Sequence, residues 1–143
     1  MNAVTRIQQL LGGEDITGPL ANERDIVRLI RRGVPTQAVD HFLDAARLPF
    51  NALDPQILNR RTFKRRQQKA QPLDPAESDR LLRIVGIVAI AEETFGDSDK
   101  AHIWLNRATP LFDGETPLSM ADTDQGARAV ETLLGRIAHG LAA

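Results

Sequence analysis

The sequence predicts an all-α protein, on three observations. Apolar residues recur at i, i+3, i+4 and i+7 through successive stretches of the 143-residue chain. Each stretch opens on a residue able to cap a helix and closes on a glycine or proline. Nowhere do apolar and polar residues alternate for long enough to mark a strand.

The elements follow in order. Val4, Ile7, Leu10 and Leu11 form a short helical stripe that stops at Gly12-Gly13, an arm expected to be only partly ordered. Asn22 caps a helix, with Asp25 at its third position and Ile26, Val27, Leu29 and Ile30 on its apolar side. Gly33 ends it. Thr36 is expected to cap the next, whose Val39, Phe42, Leu43 and Ala46 share a face. Leu48-Pro49 breaks that helix. Asp54-Pro55 reads as a cap followed by a first-turn proline, opening a short helix to Leu58. Asn59 caps the run Arg60 to Lys69. Two helices meeting at a tight break is the layout of a helix-turn-helix.

Gln71-Pro72 is the expected linker, dividing the chain into residues 1–71 and 72–143. Asp74-Pro75-Ala76-Glu77 is a strong helix start, and the helix should run to Phe95. Its middle, Ile84 to Ala91, is apolar on nearly every side and should lie centrally. Gly96 suits the left-handed residue after a helix. Asp97 or Ser98 caps the next helix, which carries the only tryptophan, Trp104. Gly114 supplies a turn and Thr116-Pro117 another helix start. Thr123 caps the last helix, with Asp124 in its first turn and Gly140 at its end. The second half thus reads as short helices gathered around Trp104, expected to be a core aromatic.

Charge separates the two halves. Residues 1–71 hold 12 Lys and Arg against 7 Asp and Glu; residues 72–143 hold 6 against 12. A basic half joined to an acidic half points to two partners of opposite character. With no cysteine, disulfides and thiolate chemistry are excluded. No run approaches the ~18 apolar residues of a membrane span. The stretch Met1 to Leu11 is too weakly apolar for a signal peptide, so a cytoplasmic location without membrane contact is expected.

The basic run holds six cations, Arg60, Arg61, Lys64, Arg65, Arg66 and Lys69, with no acid between them. Helical spacing puts Arg61, Lys64, Arg65 and Gln68 on one face and turns Phe63 and Arg66 away from it, Phe63 toward the core. Cations suit phosphates, and arginine and glutamine suit base edges in the major groove. A run of charge is more often merely solvated, or binds an acidic protein; the helix-turn-helix layout favours DNA. The expected interface is Asn59, Arg60, Arg61, Thr62, Lys64, Arg65, Arg66, Gln68 and Lys69.

Nothing points to catalysis. His41, His102 and His139 are scattered, and no nucleophile motif or phosphate loop accompanies them. Asp97 with Asp99, and Asp122 with Asp124, are better explained as helix caps than as metal ligands. An enzyme is not expected, nor a metal, nor any cofactor.

The succession Phe95-Gly96-Asp97, Lys100-Ala101, Trp104-Leu105, Leu111, Gly114, Pro117-Leu118, Thr123, Gly126-Ala127-Arg128, Val130-Glu131, Leu134, Arg136-Ile137 and Gly140 resembles the toxin-binding domain of the Xre/MbcA/ParS antitoxins. It most resembles the Xre antitoxins of RES–Xre toxin–antitoxin modules. The likeness continues upstream through Leu73 to Leu82 and, more loosely, into the basic helix, where the turn Leu53–Asn59 lacks the glycine usual in such proteins. The resemblance implies an antitoxin that binds a RES-domain, NAD-degrading toxin, occludes its active site and represses its own operon by binding operator DNA. It implies a homodimer within the toxin–antitoxin complex. Toxin contact is expected from Arg128, Glu131, Arg136, His139, Gly140 and Leu141, with the tail Leu141-Ala142-Ala143 either frayed or inserted into the partner's pocket. The rival expectation is a stand-alone transcription regulator whose C-terminal domain only oligomerises.

Overall fold

Asp74 and Glu77 start the helix on which the others pack. Asp74 Oδ1 accepts from the Glu77 amide at 2.7 Å, and Glu77 Oε1 accepts from the Asp74 amide at 2.8 Å. This reciprocal cap satisfies two of the amides a helix N-terminus leaves bare. The computed structural model describes residues 2–140, and no strand occurs among them. The helices are α1 (Ala3–Leu10), α2 (Glu14–Thr17), α3 (Glu23–Arg32), α4 (Thr36–Ala45), α5 (Arg60–Gln68), α6 (Pro75–Phe95), α7 (Ser98–Leu105), α8 (Pro117–Met120) and α9 (Asp124–Ala138). Short 3₁₀ turns lie at Phe50–Ala52 and Pro110–Phe112.

Helix α6 is the hub. Its Leu81, Leu82, Ile84, Val85, Ile87, Val88, Ala89 and Ala91 are buried, because α1, α3, α7 and α9 all lean on it. A helix apolar on every side finds cover only at the centre. One hydrophobic cluster therefore runs through the whole fold, from Ile7 and Leu10 of α1 to Leu134 of α9. No helix of the described residues is long and apolar enough to cross a membrane.

Most caps lie where the sequence puts them. Asn22, Asn59, Asp97, Thr116 and Thr123 each accept backbone amides at the start of α3, α5, α7, α8 and α9. Gly96 closes α6 in the left-handed conformation, at φ 65°. Thr36 differs: α4 begins at Thr36 itself, with Pro35 in the cap position and no side-chain cap. Proline at 35 already sets the extended backbone a cap requires.

Three expectations are corrected. The N-terminal arm is a packed element. Ile7, Leu10 and Leu11 are buried, and the Arg6 guanidinium holds the Glu92 carboxylate of α6 at 2.8 Å. The segment Asp54 to Leu58 is not a helix; a turn follows the 3₁₀ residues, and the Asp54–Pro55 bond is cis. The turn carries Leu53, Ile57 and Leu58 into the core. Trp104 is half-buried, not central. Helix α7 has eight residues and buries Ala101 and Leu105, which leaves the indole at the flank against Phe95, ring centroids 5.6 Å apart.

The tight connection between α3 and α4 is fastened to the start of α6. Gly33 has a φ of 97°. The Val34 amide donates to Ser78 Oγ at 2.9 Å, and the Leu73 amide donates to the Val34 carbonyl at 2.9 Å. Val34 and Ser78 are both fully buried, so each polar group finds its partner inside the protein.

Candidate functional site

Helix α5 breaks a local rule. Its first turn carries Arg60 and Arg61 and no acid, although the positive end of the helix dipole disfavours cations there. Asn59 offsets part of this by accepting the Arg61 and Thr62 amides at 3.0 and 3.2 Å. Phe63 anchors the helix, buried with its ring centroid 5.2 Å from that of Phe50. A cost retained against propensity is a mark of function.

The structure sorts the expected DNA contacts. Arg61, Lys64, Arg65, Gln68 and Lys69 are exposed. Arg61, Lys64, Arg65 and Gln68 line one open depression together with Asp54, Asn59 and Arg60. Thr62 is half-buried. Arg60 is exposed but engaged: its guanidinium lies 4.7 Å from the centroid of the Phe50 ring and donates to Asn51 Oδ1 at 2.9 Å. Arg66 does not belong to this surface. Its side chain, 18% exposed, turns to α6, with Nε 2.8 Å from Glu77 Oε1 and Nη2 3.4 Å from Asp74 Oδ2. The Nε approach is an ion pair without hydrogen-bond alignment. Position 66 stands 100° from position 65 on a helix, which is enough to carry it from the outer face to the seam.

The last helix sorts in the same way. Ala127, Val130, Leu133 and Leu134 are buried, and Gly126 with them. Arg128, Glu131, Arg136 and His139 stand on the outer side, exposed, and Gly140 follows them. Arg128 Nε pairs with Asp124 Oδ2 at 3.0 Å, both side chains largely solvated. His139 Nδ1 donates to the Gly135 carbonyl at 2.7 Å and so completes the end of its own helix. Arg136 makes no ion pair among the described residues and stands in the last turn, where the dipole favours a cation. Leu141 lies outside the described residues.

Two apolar residues of this half stand exposed, neither of them among the expected toxin contacts. Ile103 is 58% exposed and Leu111 71%. Position 103 lies opposite 101 and 105 on a helix, so periodicity alone marks it as outward. Nothing local marks Leu111, which sits in the 3₁₀ turn between Pro110 and Phe112. Among the described residues no group of three His, Cys, Asp or Glu is placed to hold a metal ion.

The family model for the antitoxin Xre-like helix-turn-helix domain matches residues 25–86. That for the antitoxin Xre/MbcA/ParS C-terminal toxin-binding domain matches residues 91–140. The chain is 46% identical to Antitoxin Xre of Pseudomonas putida over 85 residues, 59% of this chain and 54% of that protein. It is 39% identical to Antitoxin Xre of Photorhabdus laumondii over 82 residues, 57% of this chain and 55% of that protein. The alignments thus span about half the length of these relatives. A longer match, 133 residues at 25% identity, covers 84% of this chain and 82% of the Prs ADP-ribosylating antitoxin of a Sphingobium strain. The first model spans α3, α4, α5 and the first half of α6, and the second runs from the end of α6 through α9, so the chain carries an antitoxin Xre-like helix-turn-helix domain followed by an antitoxin Xre/MbcA/ParS C-terminal toxin-binding domain.

Proposed function

We propose that the chain is the antitoxin of a type II toxin–antitoxin pair. Its C-terminal domain binds a RES-domain, NAD-degrading toxin and occludes the active site. Its α5 helix binds operator DNA and represses the operon. The supporting observation is the presence of both matched domains on one chain, each with an exposed polar face: α5 in the first, α9 in the second. Residues 1–71 act as the DNA-binding half and residues 72–143 as the toxin-binding half. A homodimer would offer two copies of α5 to a two-fold symmetric operator. The protein works in the cytoplasm, without a cofactor, by occlusion and not by catalysis.

On the toxin side, Arg136 and His139 lie less than one helical turn apart at the dipole-negative end of α9. They suit a catalytic carboxylate in the toxin better than they imitate an anionic substrate. Leu141 follows them into the same pocket, with Arg128, Glu131 and Gly140 around its mouth. Ile103 and Leu111 add apolar contact area of the kind interfaces bury.

The test is co-expression with a RES-domain toxin encoded beside this chain, reading cellular NAD. The full chain should preserve NAD, and a chain truncated after Leu134 should not, although its first half stays folded. A truncated chain that folds and still preserves NAD would overturn the role of α9. A second reading is favoured by the Sphingobium relative, whose name refers to ADP-ribosylation of Prs. In that case the toxin transfers ADP-ribose from NAD to a protein. Labelled Prs without general NAD loss would mark it.

A further inference from the structure

Helix α5 has nine residues, too few to hold its own shape or direction in water. Its angle is therefore set from outside. Phe63 fixes its depth, Arg60 rests on Phe50 and Asn51, and Gln67 Nε2 donates to Asp40 Oδ2 of α4 at 3.1 Å. Two arginines fix its angle to α6. Arg66 reaches from α5 to the start of α6, with Nε 2.8 Å from Glu77 Oε1 and Nη2 3.4 Å from Asp74 Oδ2. Arg80 reaches from α6 to the residues that lead into α5, donating from Nε to the Ile57 carbonyl at 3.0 Å. Ile57 stands two residues before the Asn59 cap. The first turns of α6 thus hold α5 near its end and just ahead of its beginning, and Glu77 is itself locked by the reciprocal cap with Asp74.

We propose that Arg66 and Arg80, neither of which reaches DNA, are positioning residues that set the angle of α5 and with it the base discrimination of Arg61, Arg65 and Gln68. The inference rests on the DNA-binding reading of α5. Its physics is leverage. From the Phe63 anchor to Gln68 is about 7.5 Å, so a tilt of about 10° moves that end by about 1.3 Å. Contacts to base edges tolerate about 0.5 Å of misplacement. Phosphate contacts made by long, flexible cations tolerate much more, and carry no sequence information. Loosening the grip should therefore remove selectivity and leave non-specific binding in place.

The experiment uses the full chain and two duplexes. One is enriched from a random-sequence library by the wild-type protein; the other is the same duplex scrambled. Affinities are measured by fluorescence anisotropy across a series of KCl concentrations. For Arg66→Met and Arg80→Met the preference for the enriched duplex should fall tenfold or more. Affinity for the scrambled duplex should stay within about twofold, and the slope of log K against log salt should not change. Arg66→Lys, which keeps a cation beside Glu77, should lose less preference than Arg66→Met. As a contrast, Lys64→Ala, which removes an exposed cation of the same depression, should flatten the slope by about 0.9, the loss of one phosphate contact. A slope flattened in Arg66→Met would make Arg66 a DNA contact and overturn the assignment. So would an unchanged preference, or equal loss of both duplexes, which would mark a role in folding alone. If the wild type enriches no sequence and binds without salt dependence, it is the DNA-binding reading that fails.

Discussion

Gly126→Ala is the sharpest probe of how α9 is seated. Gly126 lies in the first turn of α9, and α8 ends directly against it. A Cβ added there would fall well inside contact distance of the Met120 carbonyl oxygen and 2.8 Å from its carbon. The obstacle is backbone, which cannot rotate away. The same Cβ would lie 3.1 Å from Thr123 Oγ1, the atom that caps α9 by accepting the Gly126 amide at 3.0 Å. Overpacking of this kind costs about 1–3 kcal/mol. Disturbing the cap adds about 1 kcal/mol, and the better helix propensity of alanine returns about 1 kcal/mol. The net loss is about 2 kcal/mol, which for a chain of this size lowers the thermal midpoint by about 8 °C. Gly135→Ala is the control: same helix, same chemistry, and nothing within 4 Å of the added atom. It should hold or raise the midpoint. Circular-dichroism melts of the three proteins decide the matter. If Gly126→Ala melts with the wild type, α8 and α9 do not meet as described.

Other outcomes follow from single contacts. Ser78→Ala leaves the buried Val34 amide without its acceptor and should cost about 1–3 kcal/mol, read from urea unfolding, whereas Ser78→Thr should cost less by keeping the hydroxyl. Trp104→Ala should cost about 1–2 kcal/mol, below the range for a fully buried aromatic, because the indole packs at the edge of the core and is only partly buried; calorimetry showing a loss above 3 kcal/mol would return it to the core. Arg61→Ala with Arg65→Ala should weaken DNA binding and remove its sequence preference, while toxin capture on a pull-down stays intact. Arg136→Ala should reduce NAD protection more than Arg128→Ala, because Arg128 is already spent on Asp124; equal effects would remove Arg136 from the toxin contact.

Much of the fold was legible because its signals are local. A capping side chain reaches an amide two or three residues on, so Asn22, Asn59, Asp74, Asp97, Thr116 and Thr123 declare their helices within a few letters. The central place of α6 was legible too, since an all-apolar helix has nowhere else to go. So were the outward faces of α5 and α9, which follow from the 100° step of a helix. The resemblance to the antitoxins rested on the same punctuation read as an ordered series.

The tertiary structure decided what depends on partners far apart in the chain. The helical step turns Arg66 off the face that carries Arg65, but only the arrival of Glu77 and Asp74 makes it a strut. The N-terminal arm reads as marginal alone, and becomes part of the core because α6 and α4 cover Ile7, Leu10 and Leu11, with Glu92, 86 residues from Arg6, pairing at the edge. Trp104 reads as core by composition, yet the eight residues of α7 leave it at the rim. Gly126 reads as one glycine in a motif until Met120 folds back onto it. Helix identity and face are set by contacts within one turn, which the chain specifies alone; the choice between a contact made inward and one offered outward is made only when distant segments pack.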